Sequence, residues 1–515
     1  LRMQAVSKAW IENQAKPLVS ESFVELVYEI GDPESLADAT ASDNGSAYFS
    51  NTDTIVNEID ETMIRYATFE QNLWKMDGSC RLLPEEPPYT GTGFVSDTIC
   101  DENGLFTKNP VITISFSKVY SKVIPGITIR WGRVYEDYAD TFKVTVYNGE
   151  TVVKTVEISG NTEVITQVVE DIVDYDKITV EIIKWGTPYR RARIEEIFIG
   201  LKRVFGKKDI VSYQHTMSVD LLSGKLPKNE IKFEIINLNS EYNPLNPDSQ
   251  AKYLIERQRI IAKYGFKIDG NIEWIKAGAF YLNEWDLPQN GFTATFTARD
   301  LLEFMNTNYT ATVSNKSLYD LAIEVFTLAN LPLNRDGSVK WVLDESLKNI
   351  MVENAELDNT LAEVLQMIAN AGCCVIYQDR DEKLHIEPVT FVLSDYVISR
   401  SNSYKESELT LTKKLKSVNV NKGMAIVTND VDGEEQRVEN PLITASQAET
   451  VAIWVKEILK NRMIFKGEYR ADPRLDPLDM VTVVNQYGSK PVVITEVVYK
   501  YNGAFRGTYE GRVIE

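Results

Sequence analysis

Two histidines, His215 and His385, stand far apart in 515 residues, so the side chain most often used as a general base near neutral pH is scarce. No H-E-x-x-H and no G-x-S-x-G occurs. The stretch GLKRVFGKK at 200–208 has one residue too many between its glycines for a phosphate loop, and Lys208 stands where Ser or Thr would hold magnesium. It reads as a basic strand end. Among 75 acidic residues a close carboxylate pair is expected by chance, so two-acid glycoside hydrolysis has no specific support. Arg470, Asp472, Arg474, Asp476 and Asp479 read as salt bridges and turn caps rather than as a catalytic cluster, and His385, between Leu384 and Ile386, reads as a strand-face histidine. The expectation is a chain that is not an enzyme and uses no cofactor.

Binding chemistry has better candidates. Trp131, Tyr135, Tyr138, Trp185 and Tyr189 lie beside Arg190, Arg191 and Arg193, a mixture whose rings can stack on sugars and whose guanidinium groups can bond hydroxyls. Trp131 ends GITIRWG and Trp185 ends KITVEIIKW, positions where large aromatics also close a sandwich core. Both readings stay open from sequence, with the loop Tyr189-Arg190-Arg191 expected to be the exposed part. Asp97, Asp101 and Asn103 in SDTICDENG supply oxygen ligands of the kind calcium takes, without the spacing of an EF-hand, and equally suit a turn. Cys80, Cys100, Cys373 and Cys374 include no C-x-x-C, so neither a zinc site nor a disulfide scaffold is expected.

These residues need a large scaffold. At about 150 residues per domain the length predicts roughly three to four domains. A hydrophobic share of 43% with 25% charged residues is that of a folded globular chain. Subtracting 75 acidic from 55 basic residues leaves −20, which opposes attraction to phosphate backbones and excludes a nonspecific DNA clamp. Such a surface suits a wall past which DNA slides. No run is long and apolar enough to span a bilayer, and the start lacks a signal-peptide apolar core, so the chain is expected to fold in a cytosol.

Periodicity divides the chain. Residues 21–30 alternate as a half-buried strand and stop at Gly31-Asp32-Pro33. Proline-rich EEPPYTGTG at 85–93 reads as a linker, and after it six short strands with turns YNGE and SGNT indicate a β-sandwich over about 90–203. A further β region spans 209–300. An amphipathic helix at 315–330 carries Leu318, Leu321, Ala322, Val325 and Phe326, and a second at 358–371 has Asp358 as its expected N-cap and Gly372 at its stop. Strands CVIYQD and KLHIEP complete an α+β unit. The last section, 405–515, has strands, a helix opening with a Thr444–Gln447 capping box, and three closing strands.

Three stretches together, YATFEQNLWKMDGS at 66–79, FVSDTICDENGLF through PYRRARIEEIFIGLKRVF at 94–205, and YRADPRLDPLDMVTV at 469–483, resemble the hub proteins at the tail tip or baseplate of tailed bacteriophages. The second is similar to galactose-binding-like jelly rolls lodged inside such hubs. The resemblance implies a mainly β fold with α+β: a first hub β-barrel from 1–89 and 204–308, an inserted sandwich at 90–203, an α+β domain at 309–400, and a second hub barrel with one helix at 401–515. It further implies a homotrimer that adapts a sixfold tail tube to a threefold tip, located at the virion tail tip or baseplate and assembled in the host cytoplasm. The implied neighbours are the tail tube or distal tail protein, a tail spike or other baseplate component and the tape measure protein, with DNA passing through the lumen and a host cell-wall glycan on the sandwich. The rival reading, a secreted carbohydrate-binding or glycoside-processing enzyme with an accessory sandwich, needs a secretion signal and a catalytic domain, and the sequence displays neither.

Overall fold

The computed structural model describes residues 4–16, 19–56, 64–82, 93–246, 248–287, 291–334 and 337–514. It is mainly β with an α+β part, as the alternation predicts. Its backbone is one 13-stranded sheet to which both flanking β regions contribute. Strand Ile210–Ser218 of the first region pairs antiparallel with Gly488–Tyr501 of the last, in register from Tyr213 opposite Tyr501 to Ser218 opposite Glu496. The two regions expected as barrels are therefore joined strand to strand and share one core. Trp10, from the helix Lys8–Ala15, packs edge-on to Phe266 with centroids 4.9 Å apart, in the same cluster as Tyr469, Tyr499 and Val513.

Two excursions leave this sheet. The first departs after Ile30 and returns at Leu201, residues that face each other across adjacent strands. The crossing is tight: Gly200 has φ +139, and a Cβ there would lie 2.3 Å from the Ile30 carbonyl oxygen, so only glycine fits. The excursion forms a sandwich of a five-stranded sheet against a three-stranded and a two-stranded one. The expected boundary at 89/90 needs correction. Strand Thr40–Asp43 pairs with Val111–Tyr120, and Ala41, Ile55 and Val56 are buried in the sandwich core. The polar run at 37–54 holds this four-residue edge strand, too short to show a periodicity in sequence. Of the proline-rich linker, 85–92 lies outside the described residues.

The second excursion is the α+β unit. Helices Leu318–Leu328 and Leu361–Ala371 bury the expected stripes, but the second begins later than its expected cap. Asp358 belongs to strand Ala355–Thr360, and Thr360 caps the helix in a reciprocal box with Glu363. Helix Ala445–Leu459 opens at Thr444 as expected, yet Thr444 makes no side-chain cap bond; its hydroxyl meets Ser446 at 2.9 Å instead. This helix and the small sheet of Leu415–Val420, Ala425–Thr428 and Glu434–Val438 bury Val418, Leu442, Val451 and Val455 in the α+β core. Only Leu393–Ile398, Glu408–Leu411 and the strands from Met463 onward join the large sheet.

Candidate functional site

The aromatic set expected on the sandwich splits. Trp131 and Trp185 are 0% and 1% exposed, in edge-on contact with each other at 5.9 Å, and Trp131 meets Phe142 at 5.0 Å while its Nε1 donates to Thr166 Oγ1 at 2.9 Å. Neither can stack on a sugar, because each ends a strand whose inward face they fill. Tyr135 is sandwiched between cations, with Arg193 4.6 Å and Arg65 5.6 Å from its ring. Tyr138 is half-buried. Tyr189 is 40% exposed at φ +59, whereas Arg190 and Arg191, expected to be exposed with it, are half-buried.

The neighbouring arginines face inward for a reason the sequence does not display. Arg193 is buried and pairs with Glu70, and its other arm reaches Asp137 at 3.2 Å. Arg191 donates from its backbone to Glu70 at 2.8 Å and from its guanidinium to the carbonyls of Ser96 and Asp97 at 2.7 and 2.5 Å; Arg190 donates to the Gln71 carbonyl at 2.6 Å. Burial disfavours the Glu70 carboxylate, but the Arg193 charge and the surrounding hydrogen bonds outweigh it and hold the carboxyl below its ordinary range. At Asp137 burial wins over Arg193, and the carboxyl is pushed up to about 6. The three arginines thus clamp residues 66–81, a loop closed by Ala67 N–H to Arg81 O at 2.8 Å and Arg81 N–H to Arg65 O at 2.7 Å. Beyond the clamp Phe69 is 97% and Met76 92% exposed.

The calcium candidates are used locally. One Asp101 oxygen accepts from the backbone of Asn103 and Leu105 at 2.8 and 2.9 Å, an Asx turn in which Asn103 lends its backbone. The Asp97 carboxylate lies against Gly45. Among the described residues no three His, Cys, Asp or Glu side chains form a metal-sized group. The four cysteines are free thiols. No helix of the described residues is long and apolar enough to cross a membrane.

The 470–479 segment is a junction. Arg474 and Asp472 pair at 2.5 Å; Arg380, from the turn between Val375–Gln378 and Leu384–Glu387, grips Asp476 at 2.6 Å and the carbonyls of Pro473 and Lys276 at 2.7 Å each. Arg470 donates to the carbonyls of Lys16 and Ser401. Burial, then the adjacent Asp476, pushes the Asp479 carboxyl up to about 7. A second buried knot joins Glu382 to Arg259 at 2.7 Å, to Lys340 and to the Tyr281 hydroxyl. Sequence reasoning passed over Glu70, Arg259, Lys340, Arg380 and Glu382, since nothing in their local spacing marks partners a hundred residues away. His215 is enclosed between Tyr264 and Asn229, and burial drives its pKa down to about 3, so it stays neutral. His385 lies flat on Tyr377, with Asp379 at 3.0 Å and Glu387 at 3.1 Å. The buried charges of Arg193, Arg380 and Glu382 are paired within the chain and join segments distant in sequence.

No family model matches the sequence, and no curated protein matches it. Among solved structures, the chain is similar to a 43 kDa tail protein of prophage MuSo2 from Shewanella oneidensis, at 12% identity and TM-score 0.41 over 60% of this chain and 94% of that one. It is similar to a prophage tail protein from Listeria monocytogenes, at 11% identity and TM-score 0.40 over 61% and 91%. A component of the type VI secretion system from E. coli aligns at 10% identity and TM-score 0.36 over 60% and 74%.

Proposed function

We propose that this chain is a structural subunit of the tail tip or baseplate hub of a phage tail or phage-derived particle. In this reading three copies close into a ring that adapts a sixfold tube to a threefold tip. The observation that carries it is the seam between Ile210–Ser218 and Gly488–Tyr501: two β regions far apart in the chain are joined in one continuous sheet. Each copy then supplies two linked strand sets, and three copies supply six. Closed rings of this kind need matched surfaces and no catalytic group, in keeping with a molecule whose charged clusters serve its own junctions. The tube, spike and tape measure proteins are the proposed neighbours, and the net charge of −20 keeps a passing DNA from adhering. A light-scattering mass of three times 58.4 kDa is expected. A chain that stays monomeric up to about 100 µM, where even weak specific contacts are populated, overturns the reading.

A further inference from the structure

One kind of covalent chemistry needs no enzyme, cofactor or second chain. Where glycine follows asparagine, the glycine nitrogen can attack the asparagine Cγ, because glycine has no side chain to hinder the approach. Such steps occur at 44–45, 103–104, 148–149, 290–291 and 502–503, and Asn290 lies outside the described residues. The fold decides which of the others can react.

Three of them are held. The Gly45 N–H donates to Asp43 Oδ1 at 2.9 Å, and the Asn44 side chain is itself occupied, donating to the Asn109 carbonyl at 3.0 Å and accepting from the Val111 N–H at 2.9 Å. The Gly104 N–H donates to the Asp101 carbonyl at 3.1 Å. The Gly149 N–H is shared between the two carboxylate oxygens of Asp176 at 3.0 and 2.9 Å. A nitrogen bonded in this way must give up its partner before it can attack a neighbour, and beside a carboxylate it is also harder to deprotonate.

Asn502 and Gly503 are different. With Ala504 they form the tip of the hairpin between Gly488–Tyr501 and Phe505–Val513. Both are exposed, neither has a hydrogen-bond partner among the described residues, and a Cβ added at Gly503 would meet nothing within 4 Å. The base of the hairpin is fixed. Tyr501 pairs with Phe505, their rings 5.2 Å apart; its hydroxyl donates to the Ser22 carbonyl at 3.1 Å, and it faces Tyr213 across the seam. The reacting pair can therefore rearrange while the strands stay in place.

We infer that Asn502 is a self-modification site. The Gly503 nitrogen bonds to Cγ of Asn502, the Cγ–Nδ2 bond breaks, and ammonia leaves with the proton that Gly503 loses, so that a succinimide ring joins the two residues. Water then opens the ring. Opening at Cγ gives aspartate on the original backbone, and opening at the main-chain carbonyl gives isoaspartate, whose chain runs through Cγ. Either product adds a negative charge beside the seam, and the second lengthens a turn whose ends are fixed.

The test is to incubate the folded full chain in heavy-oxygen water at mildly alkaline pH, where the attacking nitrogen is more readily deprotonated, and to follow each asparagine by peptide mass spectrometry. Asn502 is expected to convert at least about tenfold faster than Asn44, Asn103 and Asn148, the factor that one ordinary hydrogen bond sets. In urea the four rates should draw together. Asp176→Ala is expected to free the Gly149 N–H and make Asn148 a second fast site, with Asn502 unchanged; Asn502→Gln, whose longer side chain would have to close a larger ring, should leave the parent's fast site silent. Asn502 converting no faster than the other three in the folded chain overturns the inference. So does an Asn148 that stays slow in Asp176→Ala, once circular dichroism confirms that this variant folds.

Discussion

At the scale of single residues, the same chemistry takes opposite roles according to what it is packed against. Trp131 fills the sandwich core, so Trp131→Ala is expected to lower stability by ~3–5 kcal/mol, as emptying a buried aromatic site does. Urea unfolding reads this directly, and a variant as stable as the parent would contradict the packing described. His385 is the pH-dependent counterpart. Burial opposes its charge, but Asp379 and Glu387 hold the proton and raise its pKa from 6.5 to about 9. Because the folded pKa lies above the unfolded one, its stabilisation is complete below about pH 6.5 and is lost as pH rises through about 9. The melting temperatures of parent and His385→Gln should therefore differ most near pH 6 and converge above pH 9. Divergence on the alkaline side would mean that His385 is neutral in the fold.

Elements depend on where their ends are satisfied. Helix Leu361–Ala371 is capped by Thr360 with Glu363 in return, so Thr360→Ala should cost ~1 kcal/mol. Asp358, two residues before that cap, accepts from the Thr310 hydroxyl at 2.8 Å on the exposed face, and Asp358→Ala is expected to change stability by no more than about 0.5 kcal/mol. Thermal unfolding of the two variants side by side decides between the caps. The sandwich carries a related prediction. A fragment of 31–203 retains Ile55 and Val56 in its core, whereas 90–203 lacks them. Burying two aliphatic side chains is worth roughly 3–6 kcal/mol, so the shorter fragment should unfold at clearly lower urea. Equal midpoints would return residues 31–89 to the first barrel region, where the sequence reading puts them.

For the whole molecule, two buried ionic knots tie the α+β unit to the sheet, Arg380 with Asp476 and Glu382 with Arg259 and Lys340. Breaking a buried pair by removing one partner strands the other charge. Arg380→Ala is accordingly expected to destabilise by ~3–5 kcal/mol and to raise hydrogen exchange both in 470–479 and in the 379–383 turn. Protection lost in only one of them would show that the turn and the segment are not joined through this side chain.

Helix stripes such as Leu318, Leu321 and Val325, and alternating strands such as residues 22–30, were legible in the sequence because a stripe or an alternation is a property of neighbours a few positions apart. The mainly β class with an α+β part follows from them. Other features were not legible. The burial of Trp131 and Trp185, the pairing of Glu70 with Arg193, the departure of the sandwich at Ile30 and its return at Leu201, and the passage of 415–459 into the α+β core all depend on residues tens to hundreds of positions apart. Local spacing carries no record of such partners. Whether an aromatic faces a sugar or a core, and whether an acid sits free or clamped, was decided only when distant strands came into register and fixed which side of each faced water.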